Sequence, residues 1–159
     1  MWYFIFAAVI VAIDRLSKLW TVSAIAPGTA IPLIPGIIHL TYVENTGAAF
    51  SLFSNMRWML VAVSALCTIA IIYVIAKKKL PKLGLWCCAS ILGGAVGNLI
   101  DRILTGRVVD MFEPEFVTFA VFNVADIFIT LGGAALIVYL IRDEIKSRKV
   151  PAPKDDDNA

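Results

Sequence analysis

The sequence predicts an all-α integral membrane protein with four transmembrane helices and a small β-containing extracytoplasmic element between helices 1 and 2. Of the 159 residues, 60% are hydrophobic and 16% are charged, and the mean hydropathy is +0.84. This composition is too apolar for a soluble domain with a charged surface. The apolar residues fall into four runs, and a chain of this length can supply about four spans of roughly 20 residues. We expect one membrane-embedded domain over residues 1–149.

The first span is predicted over residues 2–26. The apolar run from Trp2 to Ile13 is too short to cross a bilayer at a rise of about 1.5 Å per residue, so the helix has to continue. Its second half then carries three charged side chains, Asp14, Arg15 and Lys18. A cleavable signal peptide is the alternative, but no basic segment precedes the apolar run and Pro27 disfavours cleavage after Ala26.

A short extended element is predicted after the first span. Prolines and glycines interrupt helical structure there, at Pro27, Gly28, Pro32, Pro35 and Gly36. Residues 37–43 follow, and their β-branched and aromatic side chains are typical of a strand.

Three further spans are predicted at residues 57–76, 83–100 and 124–141. Basic residues follow the second span at Lys77, Lys78, Lys79 and Lys82, and follow the fourth at Arg142, Lys146, Arg148 and Lys149. By the positive-inside rule both basic flanks are cytoplasmic, so both termini lie in the cytoplasm. The tail over residues 150–159 has little apolar surface to bury and is expected to be disordered.

This topology brings the unusual polar residues to one side of the membrane. The third span runs outward to Asp101, the fourth starts there at Asp126, and Asp110 lies on the short loop between them. The charged half of the first span and the loop that begins at Asn45 reach the same side. Carboxylates near lipid are costly, so an intramembrane acid indicates a functional site. If these polar residues merely capped separate helix ends, they would have no reason to cluster on one side of the membrane.

The spacings within this layer favour pairs of interacting side chains. Asn98 stands three or four residues before Asp101 and Arg102, and Asn123 stands three before Asp126, so each pair shares a helix face. Glycines on the third and fourth spans are expected to permit close helix packing, namely Gly93, Gly94, Gly97, Gly132 and Gly133.

Several kinds of chemistry lack their residues in this sequence. His39 is the single histidine and no His-Glu-x-x-His run is present, so no zinc site and no other metal or cofactor is expected. The three cysteines fall inside spans, at Cys67, Cys87 and Cys88. No serine has a histidine nearby in the sequence. The net charge of +2 is accounted for by helix flanks and indicates no nucleic-acid partner.

The remaining possibility is a pair of carboxyl groups, Asp110 and Asp126. Two carboxyls held close together share one proton, and such a pair can deprotonate a water while protonating an oxyanion or a leaving amine. The predicted chemistry is therefore peptide hydrolysis of the aspartic type.

At these residues the chain closely resembles the bacterial lipoprotein signal peptidases (signal peptidase II). Four separated motifs carry the resemblance in the same order: Asn45-Thr46-Gly47-Ala48-Ala49-Phe50, the run from Gly93 to Arg102, Val108-Val109-Asp110 and Phe122-Asn123-Val124-Ala125-Asp126. Asp14 with Ser17-Lys18 also matches. The sequence departs from the family pattern at Met111, where phenylalanine is usual, and at Ile127, where serine is common.

The resemblance implies an intramembrane aspartyl protease of the bacterial inner membrane. Such an enzyme removes signal peptides from prolipoproteins by cutting before a diacylglyceryl-modified cysteine. Asp110 and Asp126 become the catalytic dyad, and supporting roles fall to Asp14, Lys18, Asn45, Asn98, Asp101, Arg102 and Asn123. The expected partners are diacylglyceryl-modified prolipoproteins and membrane lipid, with the enzyme acting as a monomer and its active site near the extracytoplasmic face.

A small proton-coupled transporter is the alternative, with Asp14, Asp101 and Asp126 as a proton relay. Transporters place such acids near the bilayer midplane, usually within broken helices. The crowding of the acids at one side disfavours this class.

Overall fold

The structure is a computed structural model that describes residues 1–47 and 52–148. Four long helices and three strands follow one another in the order α1 (Trp2–Ala24), β1 (Ala30–Ile34), β2 (Ile38–Asn45), α2 (Arg57–Ala76), α3 (Lys82–Leu104), β3 (Val108–Pro114) and α4 (Val124–Arg148). The predicted tail, residues 150–159, lies outside the described residues.

Three of the described helices are long and apolar enough to cross a membrane. They are α2, α3 and the portion Val124–Lys146 of α4. Their lengths of 20 to 23 residues match the thickness of a hydrocarbon core. The prediction of an integral membrane protein is therefore confirmed. Helix α1 is equally long, but its second half carries the three charged residues noted above.

Helix α3 is the centre of the helical bundle, and it packs against α1, α2 and α4. Close approach depends on glycine: a Cβ at Gly93 would lie 2.7 Å from the Cβ of Ile10, and one at Gly94 would collide with the carbonyl of Ala125. The predicted packing role is confirmed here, at Gly97 and at Gly132. It is wrong for Gly133, which faces open space.

The three strands form one antiparallel sheet in the order β1-β2-β3. Strand β2 confirms the predicted strand, and β1 comes from the proline-rich stretch before it. In the register, His39 lies opposite Glu113 and Asn45 lies opposite Val108. Strands β1 and β2 lie between helices 1 and 2, where the β-containing element was predicted, and the sheet also includes β3 from between α3 and α4.

The structure also corrects the environment of Asp110. The sequence predicted a loop, but Asp110 lies within β3, opposite Val43 of β2. Pairing with a strand more than 60 residues away satisfies the backbone of this segment, and local sequence does not report such a partner. Two helices also end later than predicted, α3 at Leu104 and α4 at Arg148, because charged residues end an apolar run without ending the backbone hydrogen bonds.

Candidate active site

Asp110 and Asp126 line the same cavity, which has a volume of about 410 Å³. Asp110 comes from β3 and is 2% exposed, whereas Asp126 comes from the first turn of α4 and is half-buried. Polar residues from the end of β2, from α3 and from the segment before α4 line the cavity with them, namely Asn45, Asn98, Arg102 and Asn123. The two acids that the sequence singled out therefore face one shared space.

Asn123 joins the two acids. Its side-chain Nδ2 donates a 2.6 Å hydrogen bond to Oδ1 of Asp110. Its backbone N–H donates to Oδ2 of Asp126 at 3.2 Å, and its Oδ1 accepts from the backbone N–H of Asp126 at 3.0 Å. The last two bonds form a reciprocal capping pattern at the start of α4. Asp126 thus has a capping role as well as a place in the cavity.

The remaining carboxylate oxygens also receive amide donors. Asn45 Nδ2 donates to Oδ2 of Asp110 at 3.0 Å, and Asn98 Nδ2 donates to Oδ1 of Asp126 at 2.8 Å. Each of the four carboxylate oxygens is therefore fixed by one N–H donor. Such bonds hold both side chains in defined orientations before any substrate arrives.

Burial sets the proton affinity of Asp110. The pKa of its carboxyl group is raised from 3.8 to about 6, mainly because the group is removed from water. The bonds from Asn45 and Asn123 oppose this rise, and the negative charge of Asp126 adds to it. A carboxyl group with this pKa retains a proton at far higher pH than an ordinary aspartic acid. It is therefore suited to proton donation.

Behind the acids lies a buried cluster of ions centred on Lys18, which is 2% exposed. Its Nζ lies 2.7 Å from Oδ2 of Asp14, 2.7 Å from Oδ2 of Asp101 and 2.8 Å from Oδ1 of Asn98. Asp14 also accepts the backbone N–H of Ala125 at 3.0 Å, which ties α1 to the start of α4. Buried charges are retained in proteins when they are paired in this way.

All seven predicted supporting residues lie in or next to this arrangement. Three contact the acids directly, namely Asn45, Asn98 and Asn123. Arg102 lines the cavity and donates from Nη2 to the carbonyl of Gly47 at 3.1 Å. Asp14, Lys18 and Asp101 form the buried cluster.

Arg15 and Arg57 were not among the site residues predicted from the sequence. Arg15 forms an ion pair with Asp101, and Arg57 bonds to the last turn of α3. For Arg15 the available signal was a third charge in the first span. For Arg57 it was an arginine at the very start of an otherwise apolar helix.

In the part of the chain that the structure describes, no group of histidine, cysteine or acidic side chains is arranged to hold a metal ion. His39 lies at the far end of the sheet, where its Nε2 is 3.3 Å from Oε2 of Glu115. The polar side chains that line the cavity carry two carboxyls, three amides, one guanidinium and the hydroxyl of Thr130.

Comparisons with known proteins agree with this site. The family model of signal peptidase II matches residues 6–142. The chain is 41% identical to a lipoprotein signal peptidase of Brevibacillus brevis, covering 93% of this chain and 100% of the relative. It is 38% identical to one of Clostridioides difficile (93% and 100%) and 44% identical to one of Streptococcus pyogenes (85% and 90%).

The fold also matches solved structures described as bacterial membrane enzymes. One superposes with a TM-score of 0.88 at 26% identity and covers 94% of this chain and 93% of that one. A second has a TM-score of 0.81 at 28% identity, covering 89% and 93%. The resemblance found in the sequence is thereby confirmed, and the chain belongs to the signal peptidase II family, the lipoprotein signal peptidases.

Proposed function

We propose that Asp110 and Asp126 are the catalytic pair with which this peptidase removes signal peptides from prolipoproteins. The observation that carries this proposal is the common cavity, in which both carboxyl groups are oriented by Asn123. Family membership supports the activity, and the proton-coupled transporter is not favoured by it. The donor set of the cavity fits aspartic hydrolysis, which uses two carboxyls and a water.

We assign the proton of the pair to Asp110 and the ionised carboxylate to Asp126. Burial raises the pKa of Asp110 to about 6, which favours its protonated form. Asp126 takes a proton from water as the oxygen attacks the scissile carbonyl carbon, and Asp110 gives its proton to the carbonyl oxygen. In collapse of the tetrahedral intermediate, Asp126 protonates the amide nitrogen and Asp110 recovers a proton from the hydroxyl. The C–N bond then breaks to leave an acid and an amine.

The apolar walls of the cavity support the substrate class that family membership implies. The walls include apolar side chains of α4 below Asp126, namely Ile127, Ile129 and Leu131, and Phe119 and Val121 from the preceding segment. A diacylglyceryl-modified cysteine has acyl chains that stay in lipid and a peptide bond at the membrane surface. An apolar cavity beside two acids suits this amphipathic substrate, with cleavage before the modified cysteine.

The proposed topology has four membrane spans. Helix α1 counts as a span because two of its three charged side chains, Asp14 and Lys18, are buried. The third, Arg15, forms an ion pair with Asp101, while Leu16, Leu19 and Trp20 are exposed. The basic flanks after α2 and α4 then lie in the cytoplasm. Both termini are placed inside and the cavity near the extracytoplasmic face of the bacterial inner membrane. The enzyme acts as a monomer in this proposal.

The test is cleavage of a synthetic prolipoprotein peptide by the purified protein in lipid. Two peptides are compared, identical except that one carries diacylglycerol on the cysteine. We expect cleavage of the modified peptide alone, with mass spectrometry placing the new amino terminus at the cysteine. Equal cleavage of both peptides would contradict the proposed substrate class. Proton flux across liposomes without peptide cleavage would favour the transporter.

A further inference from the structure

Arg57 stands at an unfavourable position on its own helix. It is the first residue of α2, and the first turn of α2 contains no acidic residue. The amino-terminal end of a helix carries partial positive charge, so a cation there is electrostatically disfavoured. Arg57 also opens a span of high mean hydropathy. An interaction elsewhere has to compensate for this placement.

The guanidinium of Arg57 binds the carboxyl-terminal end of α3. Its Nε donates to the carbonyl of Arg102 at 2.8 Å, and its Nη2 donates to the carbonyl of Ile103 at 2.6 Å. Carbonyls in the last turn of a helix have no partner within the helix, and this end carries partial negative charge. Arg57 therefore supplies both the missing donors and the favourable charge.

The surrounding residues fit this contact closely. Gly106 has a φ of +80°, and a Cβ at this position would lie 3.1 Å from Cδ and 3.3 Å from Nη1 of Arg57. The guanidinium carbon also lies 5.0 Å from the centre of the Trp58 ring, within the range of a cation–π contact. The arginine side chain is thus held on two sides.

Arg102 connects this contact to the cavity. Its carbonyl accepts from Arg57, while its own guanidinium lines the cavity and donates to the carbonyl of Gly47. Arg102 therefore contacts Gly47 through its side chain and Arg57 through its backbone carbonyl.

The turn before α2 contains Phe53 at φ 57° and Asn55 at φ 67°. Non-glycine residues hold such values only where surrounding contacts enforce them.

We propose that Arg57 is a positioning residue of the peptidase that acts through Arg102. By fixing the carbonyls of the last turn of α3, it fixes the point from which the Arg102 side chain enters the cavity. Arg102 is the single cation among the described residues that line the cavity. It is placed to bind a carbonyl oxygen of the substrate peptide, and small displacements of such a group reduce catalysis strongly. The inference rests on the proposed peptidase function.

The test is a double-mutant cycle on the cleavage of the lipid-modified peptide. Arg57→Ala is made in the wild-type chain and in the Arg102→Ala variant. We expect Arg57→Ala to lower kcat/KM about tenfold in the first background and less than about twofold in the second, because its effect passes through Arg102. Arg57→Lys should lower kcat/KM less than Arg57→Ala does, because lysine keeps the positive charge. Some loss should remain, because lysine lacks the planar guanidinium that spans two carbonyls.

Arg107→Ala is the matched control. It removes one positive charge that pairs on the sheet surface with Glu44 and is exposed, so activity should stay within about twofold of wild type. Equal losses from Arg57→Ala in both backgrounds, or no loss in either, would overturn the inference. If Arg57→Ala does not fold, Arg57→Lys and Arg57→Gln are measured in the same two backgrounds.

Asp110→Asn in the same assay separates this inference from the proposed function. Turnover by Asp110→Asn would refute the dyad whatever Arg57 does. An inactive Asp110→Asn together with additive Arg57 effects would refute the positioning role alone.

Discussion

Asn123 and Asp110 are joined by a 2.6 Å hydrogen bond from the side-chain amide to Oδ1. The same asparagine also exchanges two hydrogen bonds with Asp126. One fully buried side chain thereby sets the relative placement of a strand residue and a helix residue. The geometry of the candidate site depends on this asparagine more than on any contact within one element.

Asn123→Ala should therefore impair both turnover and stability. It removes the donor to Asp110 and the cap of α4, and it leaves the partner groups without their bonds. We expect a loss of about tenfold or more in kcat and a loss of about 1–2 kcal/mol in the free energy of unfolding. Steady-state kinetics and thermal unfolding in lipid measure the two effects. Ser23→Ala, which removes an exposed hydroxyl on α1, is the control, and activity of Asn123→Ala equal to that of Ser23→Ala would contradict this role.

Lys18→Met should destabilise the fold strongly. Lys18 is the cation between Asp14 and Asp101, and its loss leaves the buried carboxylate of Asp14 without a cation and Asp101 with Arg15 alone. Breaking a buried ion pair in this way costs about 3–5 kcal/mol. Lys77→Met, at the exposed end of α2, should change the free energy of unfolding by less than about 0.5 kcal/mol. Similar unfolding temperatures for the two variants would show that the buried cluster adds no net stability.

The sequence placed the candidate site residues near one another more accurately than it predicted the sheet. The bounds of α2 were predicted correctly from the apolar run and its basic flank, because both ends are marked by changes in polarity. Strand β3 was missed because its partner β2 lies far along the chain, although Val108-Val109 carried a weak strand signal. Short-range spacing placed Asn123 with Asp126 correctly.

Long-range contacts of charged side chains could not be predicted from the sequence. Arg15 pairs with Asp101 across 86 positions, and Arg57 binds α3 through main-chain carbonyls. Neither contact follows from spacing, since both depend on how helices pack against one another. Asp14, by contrast, was among the predicted site residues because Asp14 with Ser17-Lys18 matches the family pattern.

Asn45→Ala should shift the pH dependence of cleavage. The Asn45 amide stabilises the carboxylate of Asp110 and so lowers its pKa, whereas burial raises it. With both effects present, the pKa of Asp110 is about 6. Without this bond the pKa of Asp110 rises further. If the pair has to hold one proton, the alkaline fall of kcat/KM should move to higher pH in Asn45→Ala. An unchanged or lower position of that limb would contradict the assignment of the proton to Asp110.

Stability should also depend on the protonation of Asp110. Because its pKa is raised in the folded state, the native protein binds this proton more tightly than the unfolded chain does. The resulting stability is present below pH 3.8 and is lost as the pH rises through about 6. Asp110→Asn removes this loss, so its stability relative to wild type should increase by about 2–3 kcal/mol between pH 4 and pH 8. Chemical unfolding at the two pH values measures this difference, and a constant difference would show that Asp110 does not titrate in this range.

The most direct test of the dyad is the turnover of Asp110→Asn and Asp126→Asn on the diacylglyceryl-modified peptide. Asp143→Asn, an exposed acid at the other end of α4, serves as the matched control. The account predicts no detectable cleavage by either dyad variant, folded protein in both cases, and wild-type turnover by the control. Cleavage at a wild-type rate by Asp110→Asn or by Asp126→Asn would contradict it.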